Sequence, residues 1–296
     1  MKHFDKALLA AVILLASPAA AQDNNDSSAD NQYDRARGEL SPGTGAPTQA
    51  QLMQVIESGS SERLASLLEY GELVQCHACV PLLERRLLES DDALTREMAA
   101  WWLRRRPFGF AAVFRDIRTA LANDANPVRR ARAAEALGEF MDPNGVRYLR
   151  EAIARDADPR VRAAAVAGLG RINSPAGIQG IVEAFSDSDA SVREAAVGQV
   201  LYVNLFREHD ALMGLLADEN VDVRRRAALA LGTFRVAEAA PALVAMLADS
   251  APMARQAAAW SLGRIGGSAA RNALTERQTL ETISYVRDAI EVALRM

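Results

Sequence analysis

The sequence predicts an all-α protein, a right-handed α–α superhelix built from stacked helix pairs. Three observations predict it. An arginine recurs at Arg96, Arg130, Arg162, Arg193, Arg224, Arg255 and Arg287, with gaps of 34, 32, 31, 31, 31 and 32 residues. A fixed period in this range is the mark of a solenoid. Around each arginine the chain shows two helical patterns, and six residues before each arginine but the first stands an acid.

The first helical pattern places apolar residues four apart: Ile117 and Leu121, Leu149 and Ile153, Ile181 and Phe185, Leu212 and Leu216, Leu243 and Leu247. Four residues is about one helical turn, so each pair lies on one face. The second pattern starts at the marker arginine. Three residues on stands a small residue (Ala99, Ala133, Ala165, Ala196, Ala227, Ala258), and seven on a larger one (Leu103, Leu137, Leu169, Val200, Leu231, Leu262, Leu294). That stripe buries, and its alanines let neighbouring helices approach closely.

Turn residues punctuate the pairs. Gly138, Gly170, Gly232 and Gly263 stand where a helix should end, in keeping with a left-handed residue just past the last turn. Asp142-Pro143, Ser174-Pro175 and Ala240-Pro241 suit the start of the next helix. Leu201 replaces the glycine in one copy, which predicts a different turn there. The acids (Asp124, Asp156, Asp187, Asp218, Asp249 and Glu281) fall in the turn before the second helix; the first copy has Ser90 instead. There an acid can accept backbone N–H groups and pair with an arginine of its own or the adjacent copy. Arg130, Arg162, Arg193, Arg224, Arg255 and Arg287 with these acids predict a ladder of charge-assisted hydrogen bonds.

The acid, the Val-Arg six later, the Ala-Ala pair and the Leu-Gly end resemble the HEAT-repeat family, within it the short, alanine-rich type named for phycobilisome lyases. The resemblance covers roughly residues 80–296 and implies a HEAT/armadillo-like solenoid. It implies little about activity, because such folds host many functions. Some HEAT proteins bind iron through paired His-Glu motifs; neither His77 nor His209 precedes a glutamate.

Ahead of the array, residues 1–21 read as a cleaved secretory signal: Lys2 and Lys6, the apolar run Ala7–Ala16, then Ala19-Ala20-Ala21 before Gln22. The run is too short to span a bilayer well, and no later segment is long and apolar enough. Residues 22–47 are polar and form an expected disordered leader. Residues 48–90 hold degenerate capping helices and the start of the first repeat, and 91–296 the array; atypical terminal repeats are expected of solenoids. The expected compartment is the periplasm, or the exterior. The formal net charge of −4 argues against a general nucleic-acid binder.

Cys76-His77-Ala78-Cys79 holds the only two cysteines. The spacing suits a redox or metal pair. Val80 follows where covalent haem attachment needs histidine, and zinc would want two further ligands. A local disulfide in an oxidising compartment remains, with a redox switch as the open alternative, since Cys79 precedes Val80-Pro81, an expected helix start. Trp101, Trp102 and Trp260 are candidate partner anchors, or packing residues. Arg104-Arg105-Arg106 and Arg224-Arg225-Arg226 read as a surface for an acidic partner, or as solvated helix faces. No hydrolase, phosphate-loop or zinc-protease motif is present, and no cofactor or small-molecule substrate is indicated. The function expected is an exported, non-catalytic scaffold or adaptor for another envelope protein. The alternatives are a redox or enzyme-accessory role for Cys76 and Cys79, or a lyase-like relative.

Overall fold

The computed structural model describes residues 47–106 and 108–296. The expected signal peptide, and the expected leader up to Ala46, lie outside the described residues. Among those described there are sixteen α-helices and no strand. Helices α1 (Gln49–Ser58) and α2 (Ser61–Tyr70) come first. The pairs follow: α3 (Cys79–Glu89) with α4 (Ala93–Arg104), α5 (Phe110–Asn123) with α6 (Pro127–Glu139), and α7 (Val146–Arg155) with α8 (Pro159–Ile172). Then come α9 (Pro175–Glu183) with α10 (Ala190–Gln199), α11 (His209–Gly214) with α12 (Val221–Phe234), α13 (Ala240–Met246) with α14 (Pro252–Ile265), and α15 (Ser268–Leu280) with α16 (Ser284–Arg295).

Local signals explain where these helices begin. Thr48 caps α1 through a reciprocal pair with Gln51. Asn126, Asp158, Asp189 and Asn220 cap α6, α8, α10 and α12, each accepting the N–H two residues on. Pro127, Pro159, Pro175 and Pro252 sit in the first turn, where a missing N–H is harmless. The apolar pairs of the first helices are all buried, as are the six alanines three residues past the marker arginines. Leu294, on the last second helix, is only half-buried.

The glycines do something other than end helices. Gly138, Gly170, Gly232 and Gly263 lie inside the last turn of α6, α8, α12 and α14. A Cβ on Gly138 would stand 2.6 Å from the Cα of Gly168, and one on Gly263 2.8 Å from the Cα of Ala293. These positions are bare because the neighbouring second helix passes against them. The left-handed residues past the helices are instead Met141, Asn173 and Arg235. In the copy with Leu201, α10 ends at Gln199 and an irregular segment follows, with Leu205 left-handed and Phe206 buried against Phe185 and Phe234. Second helices thus pack on each other far more closely than first helices do, which puts their row on the inside of the curve.

The close approach is testable by urea unfolding. Gly138→Ala should lose about 1–3 kcal/mol through overpacking. Gly214→Ala, at a helical site with open space around the added methyl, should gain up to about 1 kcal/mol from helix propensity. Equal effects would contradict the packing reading.

Candidate functional site

The turn between the two helices of a pair carries the most regular chemistry of the molecule. Asp156 accepts Nε and Nη2 of Arg130 at 2.7 and 2.9 Å. The same fork joins Arg162 to Asp187, Arg193 to Asp218, Arg224 to Asp249 and Arg255 to Glu281, all at 2.7–3.0 Å. Every rung therefore runs from one repeat to the next. Each arginine also turns Nη1 back onto its own turn: Arg193 donates to the carbonyls of Asp187 and Ser188 at 2.9 and 3.3 Å. Each acid in turn accepts the N–H two residues ahead, as Asp218 does from Asn220 at 2.8 Å. One guanidinium thus fixes two turns. The side chains of Arg193 and Asp218 are only 8% and 6% exposed.

The ends of the ladder differ. Arg96 donates to Glu135 and to the carbonyls of Ser90 and Asp91. Asp124, in the turn after α5, is held by Arg129 of the following helix α6 at 2.8 Å. The longer gap of 34 residues between Arg96 and Arg130 shifts the register of this junction. It is closed from both sides, by Arg96 on Glu135 and by Arg129 reaching back to Glu89 and Arg132 to Asp91 and the carbonyl of Leu88. Arg287 is exposed, and no acid of the described residues bonds to it.

Cys76 and Cys79 form a disulfide, and both are fully buried. It locks the short loop that leads into α3. Closing so small a loop contributes about 2 kcal/mol in the chain-entropy account. Burial leaves neither sulfur open to a thiol.

Trp102 is fully buried, with the guanidinium of Arg106 over its ring at 3.9 Å. It packs the fold and cannot anchor a partner. Trp101 and Trp260 are half-buried on the open side of α4 and α14, beneath Arg105 at 4.4 Å and Arg264 at 5.5 Å. The arginine runs are largely engaged within the chain. Arg104 donates to the carbonyl of Glu139, Arg105 to Glu72 and Arg106 to the carbonyl of Gly71. Arg224 belongs to the ladder, Arg225 donates to Asp222 and Arg226 to Glu194. Neither run is a free basic patch.

The open side of the second helices is the remaining surface of note. Its residues stand two before and five after each marker arginine, seven apart and so on one helix face. In the middle of the array this face pairs polar Arg160, Ser191 and Asp222 with small Ala167 and Gly198, and Ala163, Ala164 and Ala195 lie between them. Towards α16 it turns apolar, with Met253 46% exposed, Tyr285 39% and Val292 50%, beside half-buried Leu229 and Trp260. Of these only Trp260 stood out in the sequence.

The HEAT-repeat pattern matches residues 114–201 and 210–295, together more than half of the chain. The protein belongs to the HEAT-repeat family. No curated protein matches the sequence significantly. Among solved structures, YibA from Escherichia coli is similar over 94% of this chain and 99% of that one, at 16% identity and a TM-score of 0.55. The structure of Kap95p with RanGDP is similar over 79% of this chain and 34% of that one, also at 16% identity and TM-score 0.55. The CpcE–CpcF complex of phycocyanin lyase from a Nostoc species, at 20% identity over 73% of this chain and 93% of that one, has a TM-score of 0.39. At these identities the likeness is one of fold alone. Among the described residues no helix is long and apolar enough to cross a membrane.

The ladder of these HEAT repeats makes its stability depend on pH. Arg193, against the opposing effect of burial, holds the Asp218 carboxyl below its ordinary value. Burial works to raise Asp187, but Arg162 and the N–H of Asp189 bring it down. Arg255, with Arg277 and the N–H of Ile283 and against burial, lowers Glu281 from 4.5 to about 2. A carboxylate depressed in the folded state stabilises fully above its unfolded pKa and loses that contribution as pH falls through the folded one. The fold should therefore be constant in stability above about pH 5 and weaken between about pH 4.5 and 2. Glu281→Gln should be less stable at pH 7 and show a shallower acid limb in the urea midpoint. An unchanged acid limb would contradict the role of Glu281.

Proposed function

We propose that this HEAT-repeat protein is an exported, non-catalytic scaffold or adaptor that holds another protein of the bacterial envelope. The observation that carries the reading is the open face of the second helices. Small residues such as Ala167 and Gly198 let a partner approach the backbone closely between the polar side chains of Arg160, Ser191 and Asp222. Met253, Tyr285 and Val292 leave apolar surface in water beside Leu229 and Trp260. Exposed apolar side chains that share a helix face, as Tyr285 and Val292 do at a spacing of seven, suit an interaction site, and a stacked array presents them on an extended concave surface. Kap95p, with a similar fold, binds RanGDP. The disulfide between Cys76 and Cys79 supports an oxidising compartment; the segment read as an export signal lies outside the described residues. A redox role for the cysteine pair is disfavoured by the burial of both sulfurs.

One preparation tests the reading. Protein recovered from the envelope fraction of its native cells should begin at Gln22 and retain a partner at a fixed ratio. The double substitution Met253→Asp with Val292→Asp should lower that ratio about tenfold, or roughly 1.4 kcal/mol, while the urea midpoint stays put, since both side chains are exposed. Undiminished retention, or an intact Met1, would contradict it.

A further inference from the structure

Where α14 turns into α15, a cavity of about 570 Å³ opens against the last turn of α16. Arg235, Arg264 and Arg271 line it, together with the turn Gly266-Gly267, with Leu294 in the last turn of α16 and with Met296 just past it, and none of its lining side chains is acidic. Apolar walls come from Leu262, Leu274 and Ala293. Three cationic side chains around one cavity with no acidic side chain among them is unusual for this chain, whose arginines elsewhere are so often paired.

Arg264 explains the difference. It stands nine residues past its ladder arginine, as Arg171 does past Arg162. Arg171 donates Nε to Glu139 of the preceding repeat at 2.7 Å. The residue in the register of Glu139 one repeat before Arg264 is Thr233. Arg264 therefore keeps the cation of this edge without the acid. Its Nε is buried and has no hydrogen-bond partner. Arg271 uses Nη1 on the carbonyl of Leu294, and Arg235 has a left-handed backbone that ends α12 at the rim. Helix α15, thirteen residues long, starts at Ser268 with no side chain capping it, and its first turn borders the cavity through Gly267 and Ala270.

We propose that this cavity is an oxyanion-binding site, with Arg264 as its central donor and Arg235 and Arg271 as flanking charges. A guanidinium fork recognises carboxylate and phosphate alike. The oxyanion that replaces the missing acid is a carboxylate of an acidic segment in the held protein, or free phosphate. The first source rests on the scaffold reading; affinity for a small oxyanion does not. The volume lies in the range of sites for small molecules and exceeds a bare ion. The apolar walls suit the aliphatic stem of a glutamate, which favours the acidic segment.

Calorimetry of the full chain with inorganic phosphate and with an acetylated triglutamate peptide tests this, alongside NMR of the arginine Nε–H groups. Saturable binding is expected, with a shift of the resonance that disappears in Arg264→Gln. That variant should bind at least about tenfold more weakly at an unchanged urea midpoint. Arg160→Gln, which alters an exposed pair with Asp158, should bind as the native chain does. Tighter binding of the peptide identifies the acidic segment as the source, and tighter binding of phosphate the free ion; either supports the site. Binding that does not saturate, or that Arg264→Gln leaves intact, overturns it. Lost partner retention with intact oxyanion binding would count against the scaffold reading alone.

Discussion

The guanidinium of each ladder arginine is shared between two turns, and the stacking of the repeats depends on that sharing. Its Nη1 closes the turn it springs from; its Nε and Nη2 grip the acid of the next. The five rungs from Arg130 to Glu281 are shielded from water by the helices around them. Removing two charges from water is costly, and a buried pair often adds little net stability over an apolar substitute. What the geometry supplies is register. An acid displaced by one residue would lose both oxygens of the fork and the N–H at its own turn together.

Register matters because the apolar contacts beneath it tolerate so little error. Alanines near the start of six of the seven second helices, and glycines at the end of four of them, bring neighbouring backbones together. Gly138 against Gly168 and Gly232 against Ser261 leave no room for a methyl group. The buried positions of the first helices carry larger side chains, among them Leu149, Leu212 and Leu243. The difference in spacing bends the array and turns the second helices inward. It also exposes Met253, Tyr285 and Val292 on the face a partner would meet. The ladder thus fixes the height of each repeat, and the small residues fix the curve.

Much of this was legible in the sequence. The period, the paired apolar residues and the acid six before each arginine follow directly from the repeat. The direction of the rungs did not: spacing allows an acid to meet its own arginine or its neighbour's, and only the folded turn decides. The glycines do mark helix ends, but as residues of the last turn and not as the left-handed residue past it, because sequence position cannot distinguish a residue past a helix from one crossed by another. Trp101 and Trp102 looked alike as candidate anchors, yet one is half-exposed and the other sealed, since adjacent helical residues point about 100° apart and only one of them meets the core. The orphaned Arg264 was visible as a missing Glu139 equivalent, but only once Arg171 and Glu139 were seen to touch.

The claim that rungs hold the repeats in register is tested most directly by a double-mutant cycle on Arg193 and Asp218, read by urea unfolding. Arg193→Ala, Asp218→Ala and the pair together isolate their coupling. Each single change should destabilise by about 3–5 kcal/mol, because each leaves a buried charge unpaired. The double change should cost less than the sum of the two, with a coupling of at least about 2 kcal/mol. A coupling near zero would contradict the account and leave the alanine and glycine contacts as the sole determinant of the stack.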